Sequence, residues 1–411
     1  MNPVQVILLV LALLVAGSGA VASCAVRRRN LHVWLAPYIV QRARRGRLPR
    51  DIDVLLCIAD HFEPHWNGHG QGRADADTAD ARVASWVRDY PRLLGHFRDS
   101  DGRPPRHTYF YPIDQYEPTH VDALAALCRD GYGELELHLH HDRDTAENLE
   151  RSLRRFTALF SERHGILGAW PDGSPAYGFV HGNWALDNSR TDGRWCGVCN
   201  ELDVLSRTGC YADFTLPSAP DATQTRVINQ IYYASGTPGR CKSHDRGVAI
   251  GRAPQPPGSL MLIQGPLLLA RSNGRLLPRI ENGCLQRSQP PTAARLNGWL
   301  RTHIHVPRRP DWFFVKLHTH GAKEANRPAI LGGAAAEFHR ELAARAATDR
   351  RFRFHYVSAR EMYNLARAAD AGWTGSVAQA LDWVVRAPGP DNARRAPDPT
   401  PRPAVTARSA R

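Results

Sequence analysis

The chain has 411 residues, 43% hydrophobic and 23% charged, with a formal net charge of +13. That length allows a full-sized core in one large domain or two ordinary ones, and the composition is that of a folded protein. The charge is confined to the ends: residues 27–50 hold eight Arg and no acidic residue, and Arg386–Arg411 holds six Arg against Asp391 and Asp398. The body is therefore nearly neutral, which argues against a basic nucleic-acid-binding face, so no nucleic-acid partner is expected.

From the amino terminus, Pro3 to Val26 is an apolar run without a charged side chain, long enough to span a bilayer. A cleaved signal peptide carries Lys or Arg ahead of its apolar stretch, and here there is none between Met1 and Val26. Residues 1–26 are accordingly expected to stay as a single-pass membrane anchor. The string Val21, Ala22, Ser23, Cys24 resembles a lipoprotein processing site and keeps an exported alternative open. Residues 27–50 read as a basic juxtamembrane segment attracted to anionic headgroups, which the positive-inside rule places on the cytoplasmic side with the domain that follows.

Strand-like and helix-like runs alternate through residues 51–385. Val54–Ala59 and Thr108–Ile113 are expected strands flanking a helix near Asp77–Leu94. Pro118–Arg129 has helical spacing and is ended by Gly131 and Gly133; Thr145–Arg163 is a second amphipathic helix. Tyr177–His181 and Tyr211–Phe214 follow as strands. Residues 217–291, rich in Pro, Gly and Asn, predict long loops around short strands such as Leu260–Ile263. Alternation resumes with a helix at Ala293–Thr302, a strand at Trp312–Leu317, a helix at Ala334–Ala347 and a strand at Arg353–Val357. A last helix has Ser358 and Glu361 in capping-box positions. Residues 386–411 predict a disordered Pro/Arg tail. Such units imply an α/β fold with a mainly parallel sheet or barrel and a site at the carboxyl ends of its strands.

Four expected strands end in reactive side chains. The first ends in Asp60 and His61; the second lies in Glu134–Asp142, ELELHLHHD; the third ends in His181, Gly182 and Asn183; the fourth ends in His318 and His320 of KLHTHG. Alternation along a strand points His138, His140 and Asp142 one way, and His141 is free to swing inward after the strand. Imidazoles and a carboxylate are the ligand set of zinc and similar divalent ions. Trp66, Trp184 and Trp195 follow these segments and could stack on sugar rings, or pack as core. Cys196 and Cys199, with Cys210 and Cys241, could form a four-thiolate site, pair as a disulfide, or simply pack.

The motifs DVLLCIADHFEP, HTYFYPIDQYEP, LAALCRDGYGELELHLHHD and FFVKLHTHG resemble, in that order, those of the polysaccharide deacetylases of the chitooligosaccharide-deacetylase type. The resemblance spans roughly residues 51–370. It implies a distorted parallel (β/α) barrel of the seven-stranded deacetylase type, a divalent metal, zinc, as cofactor, and removal of acetyl groups from N- or O-acetylated glycans. Carried onto this chain, it makes Asp60 the base, His61, His138 and Asp142 the metal ligands, and His318 the acid. His140, His141, His181, Asn183, Trp184 and His320 are left as substrate-binding or secondary residues. Where that family has paired aspartates this chain has Asp60 and His61, and where it has a second histidine this chain has Asp142. A second register makes Asp60 a ligand instead. Deacetylases of this kind are exported, against the cytoplasmic side inferred from the arginines.

Two other functions use the same features. LHLHHD and LHTHG also resemble the HxH of metal-dependent phosphoesterases and amidohydrolases, although two strand units precede the first HxH here. The altered Asp60–His61 pair would also suit a membrane-tethered glycan-binding or assembly protein without catalysis.

Overall fold

The computed structural model describes residues 26–67, 72–270 and 278–389. The expected apolar runs form strands β1 (Ile52–His61), β2 (His107–Pro112), β3 (Gly133–Leu139), β4 (Pro175–His181), β5 (Cys210–Asp213), β6 (Leu260–Ile263), β7 (Trp312–Thr319) and β8 (Phe352–Tyr356). Seven of them pair in parallel in the order β7-β1-β2-β3-β4-β5-β6, and two short strands, Ile231–Ala234 and Val248–Ala249, extend the sheet in antiparallel fashion. Strand β8 pairs with Ile52–Leu56 of β1, while β2 pairs with Ala59–His61, so one edge of β1 serves two neighbours in succession. A mixed α/β fold with a mostly parallel sheet is thus present, as expected.

The sheet curls. Lys316 Nζ on β7 donates to the carbonyl oxygen of Phe214, just past β5, at 2.7 Å, and a Cβ on Gly265, just past β6, would overlap the Lys316 carbonyl. No ladder joins β6 to β7 among the described residues, so the curl brings the two margins close without pairing them.

Helices α1 (Leu31–Ala43), α2 (Ala76–Leu94), α3 (Pro118–Leu127), α4 (Ala146–Glu162), α5 (Glu201–Arg207), α6 (Ala293–Leu300), α7 (Gly333–Thr348) and α8 (Ala359–Asp370) surround it. Helix α2 starts where Asp75 accepts the Thr78 amide at 2.7 Å, and it buries Ala79, Val83, Trp86, Tyr90 and Leu94 at helical spacing. Helix α8 carries the expected capping box of Ser358 and Glu361. Gly133 is required where β3 enters the sheet: its φ is +149° and a Cβ there would strike the His107 backbone.

The basic segment is not a free linker. Helix α1 buries Trp34 and Tyr38 in the outer core, and Gln41 Nε2 donates to the Ile228 carbonyl at 2.8 Å. At roughly 25 cal/mol per Å2 a buried indole contributes about 4 kcal/mol or more, enough to fix the helix to the domain. The folded unit therefore begins before residue 51. The expected anchor at residues 1–26 lies outside the described residues apart from Val26, and no described helix is long and apolar enough to cross a membrane. The expected tail lies outside them from residue 390 onward.

Candidate metal centre

Strand parity decides which side chains reach the crevice at the carboxyl ends. On β1, Leu55, Cys57 and Ala59 belong to the inner apolar cluster with Phe110, Val180 and Phe314, whereas Val54, Leu56 and Phe62 belong to the outer one. His61 and Glu63 continue the inner row; Asp60 falls in the outer row. The same alternation sends His138 and His140 inward from β3, and His318 and His320 inward from β7.

These inward groups meet. Ligand atoms of Glu63, His138 and His140 all lie within 4.8 Å of one another. His140 Nε2 is 2.9 Å and His138 Nε2 3.6 Å from Glu63 Oε1. His320 Nε2 and Lys323 Nζ stand 3.7 and 3.4 Å from Glu63 Oε2. The His61 ring packs against those of His138 and His320, at centroid distances of 4.9 and 4.7 Å. The Trp184 ring borders the group, 6.2 Å from His61 and 6.1 Å from His320.

The donor chemistry fits a divalent ion. His138 Nδ1 donates to the Val180 carbonyl at 2.8 Å, which fixes the tautomer and leaves Nε2 a buried lone pair with no hydrogen-bond partner. Glu63 Oε2 is likewise buried without a hydrogen bond. Around a tetrahedral zinc, nitrogen and oxygen ligands lie about 3.3 Å apart, close to the spacings between Glu63 and the two imidazoles. Burial alone would raise the Glu63 carboxyl, but His320, His138 and His140 hold it well below the usual range. Burial, with His320 and His138 alongside, holds His61 well below the usual imidazole range.

Two expected site residues are elsewhere. Asp60 accepts the Gly321 amide at 2.6 Å and lies 2.7 Å from His107 Nε2, fully buried on the helix side of β1. Its oxygens are committed there, so it joins His61 neither as base nor as ligand. Asp142 is exposed and accepts the Trp195 amide at 2.6 Å. Strand β3 ends at Leu139 and the chain turns through Arg143 at φ +50°, so the alternation that would have aimed Asp142 inward no longer applies. His318 does line the interior, but burial and the neighbouring Lys316 push it well below the usual imidazole range, which disfavours the imidazolium its role as acid would need.

The remaining residues divide. His141 and His181 leave the crevice for a second group with Cys196 and Glu201. Asn183 and Trp184 occupy a left-handed turn, φ +54° and +55°, which brings the Trp184 ring beside His61 and His320. Lys323 Nζ sits 3.6 Å from the Trp66 ring centre, and Trp195 stacks with Arg190 and Arg194 instead of facing the site. The four-thiolate site does not form: Cys199 and Cys241 are a disulfide, and Cys210 is buried with its thiol toward the Ala212 carbonyl. Glu63, Lys323 and Glu201 were not foreseen. Glu63 stands two residues after His61, just past the end of β1, and its carboxylate still falls on the inner side beside His138 and His140.

Comparison of the chain with protein-family models, with curated proteins and with solved structures finds no match.

Proposed function

We propose that the chain is a metal-dependent hydrolase that removes acetyl groups from glycans, with Glu63, His138 and His140 holding the ion. The observation that carries the metal is the buried lone pair of His138 Nε2, which has no hydrogen-bond partner and stands 3.6 Å from Glu63 Oε1. Three protein ligands with an open fourth position are the pattern of catalytic rather than structural zinc. When bound, the ion would supply Lewis-acid polarisation of the acyl carbonyl and a nucleophilic water at neutral pH. His61 and His320, kept neutral by burial, would accept a proton from the attacking water, and Lys323 would balance charge that develops on the carbonyl oxygen. Trp184 would form one wall for a sugar ring.

The deacetylase assignment rests on the motif resemblance and on the origin of the cluster at the ends of the strands that carry those motifs. On this view the curled sheet corresponds to the seven-stranded barrel of that family. The Cys199–Cys241 disulfide supports the exported side of the membrane over the cytoplasmic one, since disulfides persist in oxidising compartments. The partners would be an acetylated envelope glycan or exopolysaccharide and, through residues 1–26, the membrane.

Acetate release from N- and O-acetylated oligosaccharides by the zinc-loaded protein, alongside phosphate release from phosphoesters, tests this. Acetate release that falls about 100-fold or more in Glu63→Gln and His138→Ala is expected. Phosphate release without acetate release would move the protein to the phosphoesterase class. Metal binding with neither activity would leave a glycan-binding role.

A further inference from the structure

Behind the crevice, on the outer side of β4, lies the second group of donors. His141 immediately follows His140, so adjacent residues serve the two sites. His141 Nε2 is 2.9 Å from His181 Nε2 and 3.1 Å from Glu201 Oε1, and His181 Nε2 is 3.5 Å from the same oxygen. Cys196 Sγ closes the set, with all four ligand atoms within 4.8 Å of one another. His181, Cys196 and Glu201 are fully buried.

Each donor is held from behind. His181 Nδ1 donates to the Gly182 carbonyl at 2.5 Å, and His141 Nδ1 lies 3.1 Å from Asp144 Oδ2, so both rings turn Nε2 to the centre. Glu201 spends Oε2 on the Asp187 amide at 2.6 Å and keeps Oε1 for the centre. The Val198 amide donates to Cys196 Sγ at 3.4 Å, and the thiol itself reaches the Val198 carbonyl at 3.7 Å and Glu201 Oε2 at 3.5 Å, so a bound cation would take the place of the thiol proton. Gly197, at φ +99°, lets this turn lie on Asp144, where a Cβ would come 2.6 Å from the Asp144 nitrogen. Two imidazole lone pairs that face each other repel unless a proton or a cation lies between them. The observed spacings of 2.9 to 3.5 Å bracket the roughly 3.3 Å between ligand atoms on tetrahedral zinc.

We propose that His141, His181, Cys196 and Glu201 form a second, structural zinc site that pins the 182–201 segment to the ends of β3 and β4. Four protein ligands leave no open position, which separates this site from the crevice. The segment it pins carries Trp184 to the first site and Cys199 to its disulfide. The inference does not depend on the hydrolase reading, because no thiol belongs to the first group.

Cobalt(II) is the probe, since a thiolate ligand gives an intense near-ultraviolet charge-transfer band that histidine and carboxylate ligands lack. Full-length protein from zinc-depleted, cobalt-supplemented medium is expected to show that band. Glu63→Gln should keep it while losing about one ion per chain, and Cys196→Ser should lose both the band and about one ion. Folded, cobalt-loaded wild type without a thiolate band overturns the proposal even if Cys196→Ser fails to fold. So does a Cys196→Ser protein whose band and metal content match wild type. In either case, metal loss in Glu63→Gln would still support the first site.

Discussion

Asp60 and His61 are neighbours in sequence and face opposite sides of the same strand. The Asp60 carboxylate lies 2.7 Å from His107 Nε2 under helix α2, while the His61 ring packs 4.9 Å from that of His138 in the crevice. Asp60 is thus framework and Glu63 is the carboxylate of the site. Asp60→Asn should cost about 1–3 kcal/mol in denaturant unfolding, through the weakened buried pair with His107 and the Gly321 amide, and leave the metal content unchanged. Glu63→Gln should do the reverse, with metal lost and the fold retained. An Asp60→Asn protein of full stability that binds no metal would return Asp60 to the site.

The two sites meet at Gly182. A Cβ there would overlap the His140 ring and come 2.8 Å from the Leu139 carbonyl, both at the end of β3. Gly182→Ala must therefore displace His140, and metal affinity at the first site is expected to fall about 10- to 100-fold, the range seen when a ligand loses its orientation. Competition with a chromophoric chelator reads this directly. Unchanged affinity would mean that His140 is not a ligand.

The strands, the main helices and the histidine positions are legible because each rests on local periodicity, and alternating strand and helix units imply a mainly parallel sheet; the order in which the strands pair is a product of the tertiary fold. The site went wrong where that rule was applied unevenly. Alternation aligns His138 with His140 at the end of β3, and the same rule at the end of β1 separates Asp60 from His61 and returns Glu63, just past the strand, to the inner face. It lapses past Leu139, where the strand stops and Asp142 turns to solvent. The second group was out of reach for a different reason. His141 and Cys196 come from loops, His181 from the end of β4 and Glu201 from a helix start, and no period links them. The Cys199–Cys241 pairing, across 42 residues, is equally a product of the tertiary fold.

That disulfide closes a segment containing β5, with Cys199 and Cys241 separated by 42 residues. Removing a crosslink of this length from the unfolded chain is worth about 4 kcal/mol in the chain-entropy account, typically 2–4. Cys199→Ser with Cys241→Ser should lower unfolding free energy by that amount and leave the metal ligands in place. Equal stability of the double variant and wild type under oxidising conditions would show that the pair does not form.

At the amino end of β1, opposite the strand ends that carry the two candidate metal sites, His355 clasps two carboxylates. His355 Nε2 lies 2.9 Å from Asp53 Oδ1, and its Nδ1 lies 2.8 Å from Asp101 Oδ2, joining β8 to β1 and to the turn after α2. Burial opposes the charge, but the two carboxylates raise His355 from 6.5 to about 9. Burial would likewise raise Asp53, yet His355 and Arg353 lower it from 3.8 to about 2. The raised histidine stabilises the fold fully below pH 6.5, and that contribution is lost as pH rises through about 9. The depressed aspartate stabilises above pH 3.8, and its contribution is lost as pH falls through about 2. The His355–Asp53 pair enters both shifts and is counted once, so the clasp as a whole contributes about 2–3 kcal/mol. The stability difference between wild type and His355→Gln should therefore be largest between about pH 4 and 6.5 and should close above about pH 9. A difference that stays constant across that range would mean that His355 is held neutral and contributes through packing alone.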